Sequence, residues 1–155
     1  GLMKRKKFTK SEYAQTHPAG QLGRNLLFNV NDVMHPLSKI ALVRSDTLIS
    51  DLVIEMTKHP LGAACVVQEG KLLGIVTDGD LRRSLMNNKN LLNMTTKKIM
   101  NVKPKTIDPA LSLGEALLIM EEGSRQISVL PVAEPGQDNL MGLLRLHDIY
   151  STGNK

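Results

Sequence analysis

An internal repeat constrains the fold of this chain more than any other feature of its sequence. The string Asp-Val-Met at residues 32–34 recurs 66 positions later as Lys-Ile-Met, and Leu-Leu-Gly-Ile-Val at 72–76 recurs 68 positions later as Leu-Met-Gly-Leu-Leu. Between them, four apolar positions recur with an offset of 64, namely Ile49, Leu52, Val53 and Met56 against Leu113, Ala116, Leu117 and Met120. Because the offset changes only across loops, the sequence predicts two copies of one structural unit.

Both copies predict the same order of elements. The four apolar positions follow an i, i+3, i+4, i+7 spacing, which predicts one buried helix face. Two short apolar runs follow the helix in each copy, and Gln-Glu-Gly-Lys at 68–71 predicts a hairpin turn between the first pair. An extended segment precedes each unit, at 40–44 and 102–107, and a last helix begins near Asp80 and near Asp148. Each unit is therefore predicted to be β-α-β-β-α.

Helix caps can be predicted in both copies. Ser112 stands three residues before Glu115, which is the spacing of a capping box. In the first copy, Asp46 or Thr47 is the residue type that favours the cap position. We therefore expect the two repeated helices to begin just after these residues.

One unit of about 55 residues buries too little apolar surface to be stable on its own. We therefore predict an α+β (mixed α/β) fold in which two β-α-β-β-α motifs pack with pseudo-twofold symmetry and bury their sheet faces against each other. The predicted boundaries are a tail at 1–30, the first unit at 31–88, a polar, Asn-rich linker at 89–97 and the second unit at 98–155.

Composition excludes several function classes. The net charge of +5 lies entirely in residues 1–30, and the rest of the chain is neutral, so no nucleic-acid partner is expected. No apolar stretch approaches the roughly 20 residues of a membrane span. A single cysteine, Cys65, forms no internal disulfide, so we predict a soluble cytoplasmic protein with Cys65 buried in its core. No His, Cys or Asp spacing predicts a metal site, and no cofactor is expected.

A repeated motif resembles a known family. The first copy carries Gly-Ile-Val-Thr-Asp-Gly-Asp at 74–80, and the second carries Gly-Leu-Leu-Arg-Leu-His-Asp at 142–148. A Gly-x-x-Thr-x-x-Asp string in twin β-α-β-β-α units resembles a tandem cystathionine-β-synthase (CBS) pair, also called a Bateman module. The resemblance covers residues 30–151, and Arg145 departs from it because a hydroxyl residue is expected there.

The N-terminal tail carries a second resemblance. Residues 11–24 read Ser-Glu-Tyr-Ala-Gln-Thr-His-Pro-Ala-Gly-Gln-Leu-Gly-Arg and lead into Val-Asn-Asp-Val-Met-His at 30–35. This string, with Thr-Asp-Gly-Asp-Leu-Arg-Arg at 77–83, is similar to bacterial D-arabinose-5-phosphate isomerases, in which a sugar-isomerase (SIS) domain precedes a CBS pair. The resemblance implies that His17 is catalytic only in a full-length parent, whose SIS domain binds the sugar phosphate. The present chain alone is then not catalytic.

The first predicted site is centred on Asp80. A carboxylate at a helix start can accept hydrogen bonds from a ribose diol, and Thr77 with the free N–H groups of the first turn suits an anion. Asp78 adjoins them, and Arg82 and Arg83 add groups that bind phosphate. Family resemblance supplies the facing residues from the other unit, namely Lys105, Thr106, Arg125, Gln126, Ile127 and Ser128. The alternatives are that Asp80 merely caps the helix and that the facing residues form a solvated basic turn.

A symmetry-related second site would be lined by Ala41, Gly62, Ala63, Arg145, His147 and Asp148. Arg145 replaces the hydroxyl there and would contact an anion directly. His147 is either a site residue or an exposed helix start. His35 and His59 each precede proline and are predicted to lie in turns.

The resemblance implies a regulatory function. The parent reaction, ribulose 5-phosphate to arabinose 5-phosphate, feeds synthesis of 3-deoxy-octulosonate (Kdo), a lipopolysaccharide or capsule sugar that is activated as CMP-Kdo. We therefore expect a feedback sensor for a nucleotide or nucleotide sugar, with CMP-Kdo ahead of AMP or ATP. A homodimer is expected, and a tetramer at full length. The alternatives are a ligand-free dimerisation scaffold, a fragment that is itself an enzyme, and a CBS pair of another host protein.

Overall fold

The computed structural model describes residues 26–122 and 127–151, so the predicted tail lies mostly outside the described part. The helices are α1 (Val30–Val33), α2 (Ile49–Lys58), α3 (Asp78–Asn87), α4 (Leu113–Glu121) and α5 (Leu146–Ser151). The strands are β1 (His35–Pro36), β2 (Ala41–Val43), β3 (Ala63–Gln68), β4 (Lys71–Thr77), β5 (Asn101–Val102), β6 (Val129–Ala133) and β7 (Leu140–Arg145). Below, unit one is residues 31–88 and unit two is residues 98–151.

The predicted hairpin of unit one is confirmed. Strands β3 and β4 pair antiparallel, and Gln68 faces Lys71 at the turn. The two residues between them, Glu69 and Gly70, have φ angles of 53° and 79°. Two consecutive positive φ values characterise the type I′ turn, whose twist matches that of the flanking strands. In unit two a longer loop, residues 134–139, joins β6 to β7.

The first strand of each unit belongs to the sheet of the other unit. One sheet has the order β2-β3-β4-β5, and the other has the order β1-β7-β6. Within them, His35 of β1 faces Leu143 of β7, and Asn101 of β5 faces Ile75 of β4. Since His35 and Asn101 are 66 residues apart, they are equivalent positions of the repeat, and the exchange of strands is reciprocal.

Two repeated glycines make room for the exchanged strands. A Cβ atom at Gly74 would lie 2.8 Å from the carbonyl oxygen of Asn101, and one at Gly142 would lie 2.5 Å from that of His35. Cβ atoms are not found so close to a backbone oxygen, so any side chain here would push the incoming strand away. The glycine that opens each copy of the sequence motif therefore serves the fold.

The segment before each first strand also crosses to the other unit. In unit one the N–H of Ile49, the first residue of α2, donates to the carbonyl of Met94 at 2.9 Å. In unit two the N–H of Leu113, the first residue of α4, donates to the carbonyl of Phe28 at 2.7 Å. Residues 26–36 and 92–102, which we call the lead-in segments, thus bind reciprocally to the opposite units.

One of the two cap predictions was wrong. Helix α4 begins after Ser112 with the predicted capping box, but α2 begins after Leu48, and neither Asp46 nor Thr47 caps it. The Thr47 hydroxyl instead accepts the N–H of Arg44, and the Thr47 carbonyl accepts both the N–H and the hydroxyl of Thr96. The backbone of the lead-in segment satisfies the helix start instead of a side chain.

Among the residues that the structure describes, three apolar clusters form the core. One lies within each unit, and each includes a residue of the opposite lead-in segment or the predicted linker, such as Val30 in unit two and Leu91 in unit one. The third lies between the sheets and joins Cys65 and Ile75 to Leu140 and Leu143. This third cluster is the predicted burial of the two sheet faces against each other. The predicted helix faces are buried except at Val53, which is 37% exposed.

The glycine contacts generate a stability prediction. We expect Gly142→Ala to lower the free energy of unfolding by about 2 kcal/mol, because its Cβ would displace β1 from β7. The matched control is Gly114→Ala in helix α4, where the nearest side-chain atom would be 3.6 Å away. That substitution should raise stability by roughly 0.5 to 1 kcal/mol, since alanine favours a helix. Urea unfolding measures both, and a neutral Gly142→Ala would contradict the argument.

Candidate functional site

The last helices of the two units begin side by side. The N–H of Asp78, at the start of α3, donates to the carbonyl of Gly62 at 3.0 Å. The N–H of Leu146, at the start of α5, donates to the carbonyl of Ser128 at 2.8 Å. These two hydrogen bonds are equivalent under the repeat, so each helix start is attached to the first residues of its own hairpin in the same way.

A cleft of about 630 Å³ lies between these helix starts. We call it the axial cleft, because equivalent positions of the two units line it: Thr77 with Arg145, Gly79 with His147, and Arg82 with Tyr150. The remaining lining residues are Leu61, Gly62, Asp78, Ser128, Val129 and Leu146. The cleft thus lies on the pseudo-twofold axis and exists only where the two units meet.

Arg82 makes the axial cleft suited to an anion. Arg145 and the imidazole of His147 also line the cleft, but Arg145 is hydrogen-bonded to Asp148, and Asp78 is a carboxylate of the lining. Arg82, His147 and Asp78 are exposed, so their side chains can adjust to a ligand. Planar guanidinium groups bind phosphate or carboxylate through paired hydrogen bonds, which makes this cleft suited to a phosphorylated molecule.

Asp80 lies beside the axial cleft and caps α3. Thr77 and Asp80 form a capping box, in which the Thr77 hydroxyl accepts the Asp80 N–H at 3.2 Å and the carboxylate accepts the Thr77 N–H at 2.9 Å. The carboxylate also accepts hydrogen bonds from Arg83 at 2.6 Å and from Asn101 at 2.8 Å. Asp80 therefore has the capping role that the sequence offered as an alternative, and it also contacts Asn101 in the exchanged strand β5.

Asp148 is the equivalent carboxylate of unit two and is buried. It accepts two hydrogen bonds from Arg145, both at 2.9 Å, and contacts Nε2 of His35 at 2.7 Å. Burial opposes ionisation, but the hydrogen bonds from Arg145 and His35 outweigh it and hold the pKa of Asp148 below its ordinary value. Hydrogen bonding to Asp148 also raises the pKa of the Arg145 guanidinium, although burial acts in the opposite direction. The prediction that His35 lies in a turn was wrong, because His35 is in β1 and reaches Asp148.

The structure brings six of the predicted site residues together in the axial cleft. Three come from the first predicted site and three from the second; they are Thr77, Asp78, Ser128, Gly62, Arg145 and His147. Asp80 and Asp148 lie beside the cleft, and Arg83 is bonded to Asp80. The two sites deduced from the sequence thus share one central cavity.

Other predicted site residues lie elsewhere. Ala41 and Ala63 are buried within strands, and Ile127 packs against the core of unit two. Lys105 and Thr106 are exposed, and Thr106 lines a separate cavity of about 680 Å³ at the opposite end of β4. His17, Arg125 and Gln126 lie outside the described residues.

Sequence reasoning missed Tyr150 and Gly79 as lining residues. Both could be found by applying the 68-residue offset to Arg82 and His147, since equivalent positions meet on the axis. The Tyr150 hydroxyl donates to Glu121 of α4, which fixes the ring at the edge of the cleft.

Cys65 does not contribute chemistry to the cleft. It is buried between the sheets as predicted, and burial raises the pKa of its thiol to about 12.

Within residues 26–122 and 127–151, no three His, Cys, Asp or Glu side chains cluster as metal ligands do. No helix in the described part of the chain is long and apolar enough to cross a membrane.

Two β-α-β-β-α repeats with a shared axial cleft and a carboxylate three residues beyond each last strand define a tandem CBS pair. The CBS domain model matches residues 30–87 and 97–153, and the chain belongs to this family.

Curated relatives narrow the comparison. The chain is 39% identical over 153 residues to arabinose 5-phosphate isomerase KdsD of Pseudomonas aeruginosa, which covers 98% of this chain and 46% of that protein. It is 34% identical to KdsD of Escherichia coli, with 98% and 45% covered. The chain therefore spans about half the length of the curated relatives it matches.

Solved structures share the fold. The CBS-pair protein CBSX2, solved in complex with AMP, matches with a TM-score of 0.65 at 19% identity over 82% of this chain and 96% of that one. The CBS pair of protein MJ0100, solved with 5′-methylthioadenosine and S-adenosyl-L-methionine, matches with a TM-score of 0.70 at 24% identity, over 83% and 99%.

The contacts of Asp148 generate a pH prediction. Because its pKa is lowered in the folded chain, its contribution to stability is present above the unfolded value of about 3.8 and is lost as the pH falls through the folded value. Asp148→Asn should lower stability at pH 7 by about 2 kcal/mol and flatten the loss of stability below pH 4. Exposed Asp46→Asn is the control and should leave the urea-unfolding profile unchanged. Identical profiles for Asp148→Asn and wild type would contradict the assignment.

Proposed function

We propose that this chain is the regulatory module of an arabinose 5-phosphate isomerase and that it binds a nucleotide or nucleotide sugar at the axial cleft. The likeness to the KdsD isomerases over nearly the whole chain supports the parent activity. That parent would catalyse the isomerisation with a preceding domain to which His17 contributes, and the module would report on a product or a nucleotide. The observation that carries the proposal is a cation-lined cleft at the junction of two CBS units.

The ligand's phosphate would lie in the axial cleft, where Arg82 of unit one offers a guanidinium and His147 of unit two offers an imidazole as a hydrogen-bonding group. The ribose hydroxyls would bind Asp80, beside the cleft at the third position of α3. To do so they would replace the hydrogen bonds from Arg83 and Asn101, both exposed residues. The Arg83 side chain is 65% exposed although that of Asp80 is 13% exposed, so Arg83 can turn into solvent while a ligand hydroxyl takes its place.

The end product of the parent pathway fits these groups. CMP-Kdo carries a ribose diol, a phosphate and a carboxylate; Asp80 beside the cleft offers a carboxylate for the diol, and Arg82 in the cleft offers a guanidinium for an anion. AMP or ATP offers the diol and the phosphate without the carboxylate, and the AMP complex of CBSX2 supports an adenine nucleotide as the alternative.

Titration calorimetry with CMP-Kdo, CMP, AMP and ATP tests this proposal. We expect the tightest binding for CMP-Kdo, and at least tenfold weaker binding in Asp80→Asn, which keeps a capping oxygen but loses the charge that holds the diol. Arg82→Ala should weaken every phosphorylated ligand by about tenfold.

Arg44→Ala is the matched control, because Arg44 is an exposed arginine outside the axial cleft. It should bind all four ligands as the wild type does. Absence of heat with every ligand, or equal affinity in wild type and Asp80→Asn, would refute the nucleotide site.

A dimerisation role has its own support. Ile54 on α2 and Leu118 on α4 are equivalent positions of the repeat and are 52% and 55% exposed. Such pseudo-symmetric apolar positions on two outer helices suit a second copy of the chain. This is the scaffold alternative, and it is compatible with ligand binding.

Sedimentation velocity tests the dimer. We expect the wild type to sediment as a dimer and Ile54→Glu with Leu118→Glu to sediment as a monomer, because a buried carboxylate would be unpaired at the interface. Leu37→Glu, at an apolar residue that is 41% exposed and lies on neither helix, should remain dimeric. A monomeric wild type would refute this role.

A further inference from the structure

The two repeated carboxylates are held differently, although they occupy equivalent positions. Asp80 and Asp148 each stand at the start of a last helix, and each is contacted by the equivalent residue of the opposite unit's first strand. That residue is the neutral amide Asn101 for Asp80 and the imidazole of His35 for Asp148. The preceding cap position also differs, since it is Thr77 in unit one and Arg145 in unit two.

In unit two, side chains of the protein itself already bind the carboxylate of Asp148. Arg145 donates to both oxygens of Asp148, and His35 contacts one of them from the exchanged strand. The side chain of Asp148 is 12% exposed, and those of Arg145 and His35 are 25% and 27% exposed. Bidentate hydrogen bonds between a guanidinium and a carboxylate are about twice as strong as neutral ones, so a sugar diol does not displace them readily.

In unit one the carboxylate is as buried as its counterpart, with 13% of the Asp80 side chain exposed, but its partners are more exposed. The opposite unit contributes a single hydrogen bond to Asp80, from the exposed amide of Asn101. The charged partner, Arg83, is 65% exposed and lies on the same helix, so it can swing into solvent. A ligand therefore competes with solvent-exposed partners at Asp80, but at Asp148 it competes with largely buried partners, one of which is a bidentate guanidinium.

We propose that the module binds one ligand per chain, at Asp80, and that His35 and Arg145 close the equivalent half-site at Asp148 from within. The inference rests on the proposed nucleotide function and adds its stoichiometry and two specificity-determining residues. The ligand class is a phosphorylated sugar derivative with a vicinal diol, which enters only on the side of unit one. His35 and Arg145 thereby make a pseudo-symmetric fold a single-site receptor.

Exchanging residues between the two half-sites tests this inference. The opened variant, His35→Asn with Arg145→Thr, gives Asp148 the same two neighbours, an asparagine and a threonine, that Asp80 has in Asn101 and Thr77. Calorimetry with AMP and with CMP-Kdo should give one equivalent bound per chain for wild type and two for the opened variant. The site at Asp80 should be retained at lower affinity, because Arg145 also lines the axial cleft.

The reciprocal variant, Asn101→His with Thr77→Arg, closes unit one and should bind neither probe. Because Arg145 already stands at the cap of α5, an arginine at the cap of α3 is compatible with this fold, and a thermal melt verifies folding. The single substitution Asn101→His should weaken binding by about tenfold and supports the same conclusion if the double variant unfolds.

The outcomes separate the two proposals. Two equivalents bound by wild type would overturn the single-site inference and leave the nucleotide function intact. One equivalent in both wild type and the opened variant would also overturn it, since removal of the closing residues would then expose nothing. No binding of either probe to any variant would overturn both proposals.

Discussion

The reciprocal exchange of the lead-in segments is the constraint on which the rest of this structure depends. Strand β1 completes the sheet of unit two and β5 completes that of unit one, and each crosses a glycine that leaves no room for a side chain. Neither unit therefore completes its sheet, or the start of its repeated helix, from its own residues. Two units that are small alone share one fold with a common core between the sheets.

The same exchange creates the axial cleft and its asymmetry. Because equivalent positions meet on the axis, the cleft collects cations from both units. Because the exchanged strands end beside the last helices, they also bring Asn101 to Asp80 and His35 to Asp148. The repeat fixes where these residues lie, and the differences between the copies give the two carboxylates different partners.

Much of the fold followed from periodicity in the sequence. The two units, the hairpin at Glu69 and Gly70, and the capping box at Ser112 depend on local signals, and all are present. The exchange of first strands between the units was not predicted, because strand pairing across 108 residues, as between His35 and Leu143, produces no local sequence pattern. For the same reason the cap of α2 was assigned to a side chain, although the carbonyl of Met94 fills that role. The motif found Thr77, Asp80 and Asp148, but only coordinates reveal that the two predicted sites share one cavity and that Asp148 is already occupied.

Native-state hydrogen exchange at two equivalent amides tests the central claim most directly. Val66 in β3 and Val132 in β6 occupy the same position of the two hairpins, each opposite the repeated glycine. If the exchanged segments make the two units one cooperative fold, both amides should report the same free energy of global unfolding, within about 1 kcal/mol. Opening of one unit at a free energy several kcal/mol below that of the other would contradict this account.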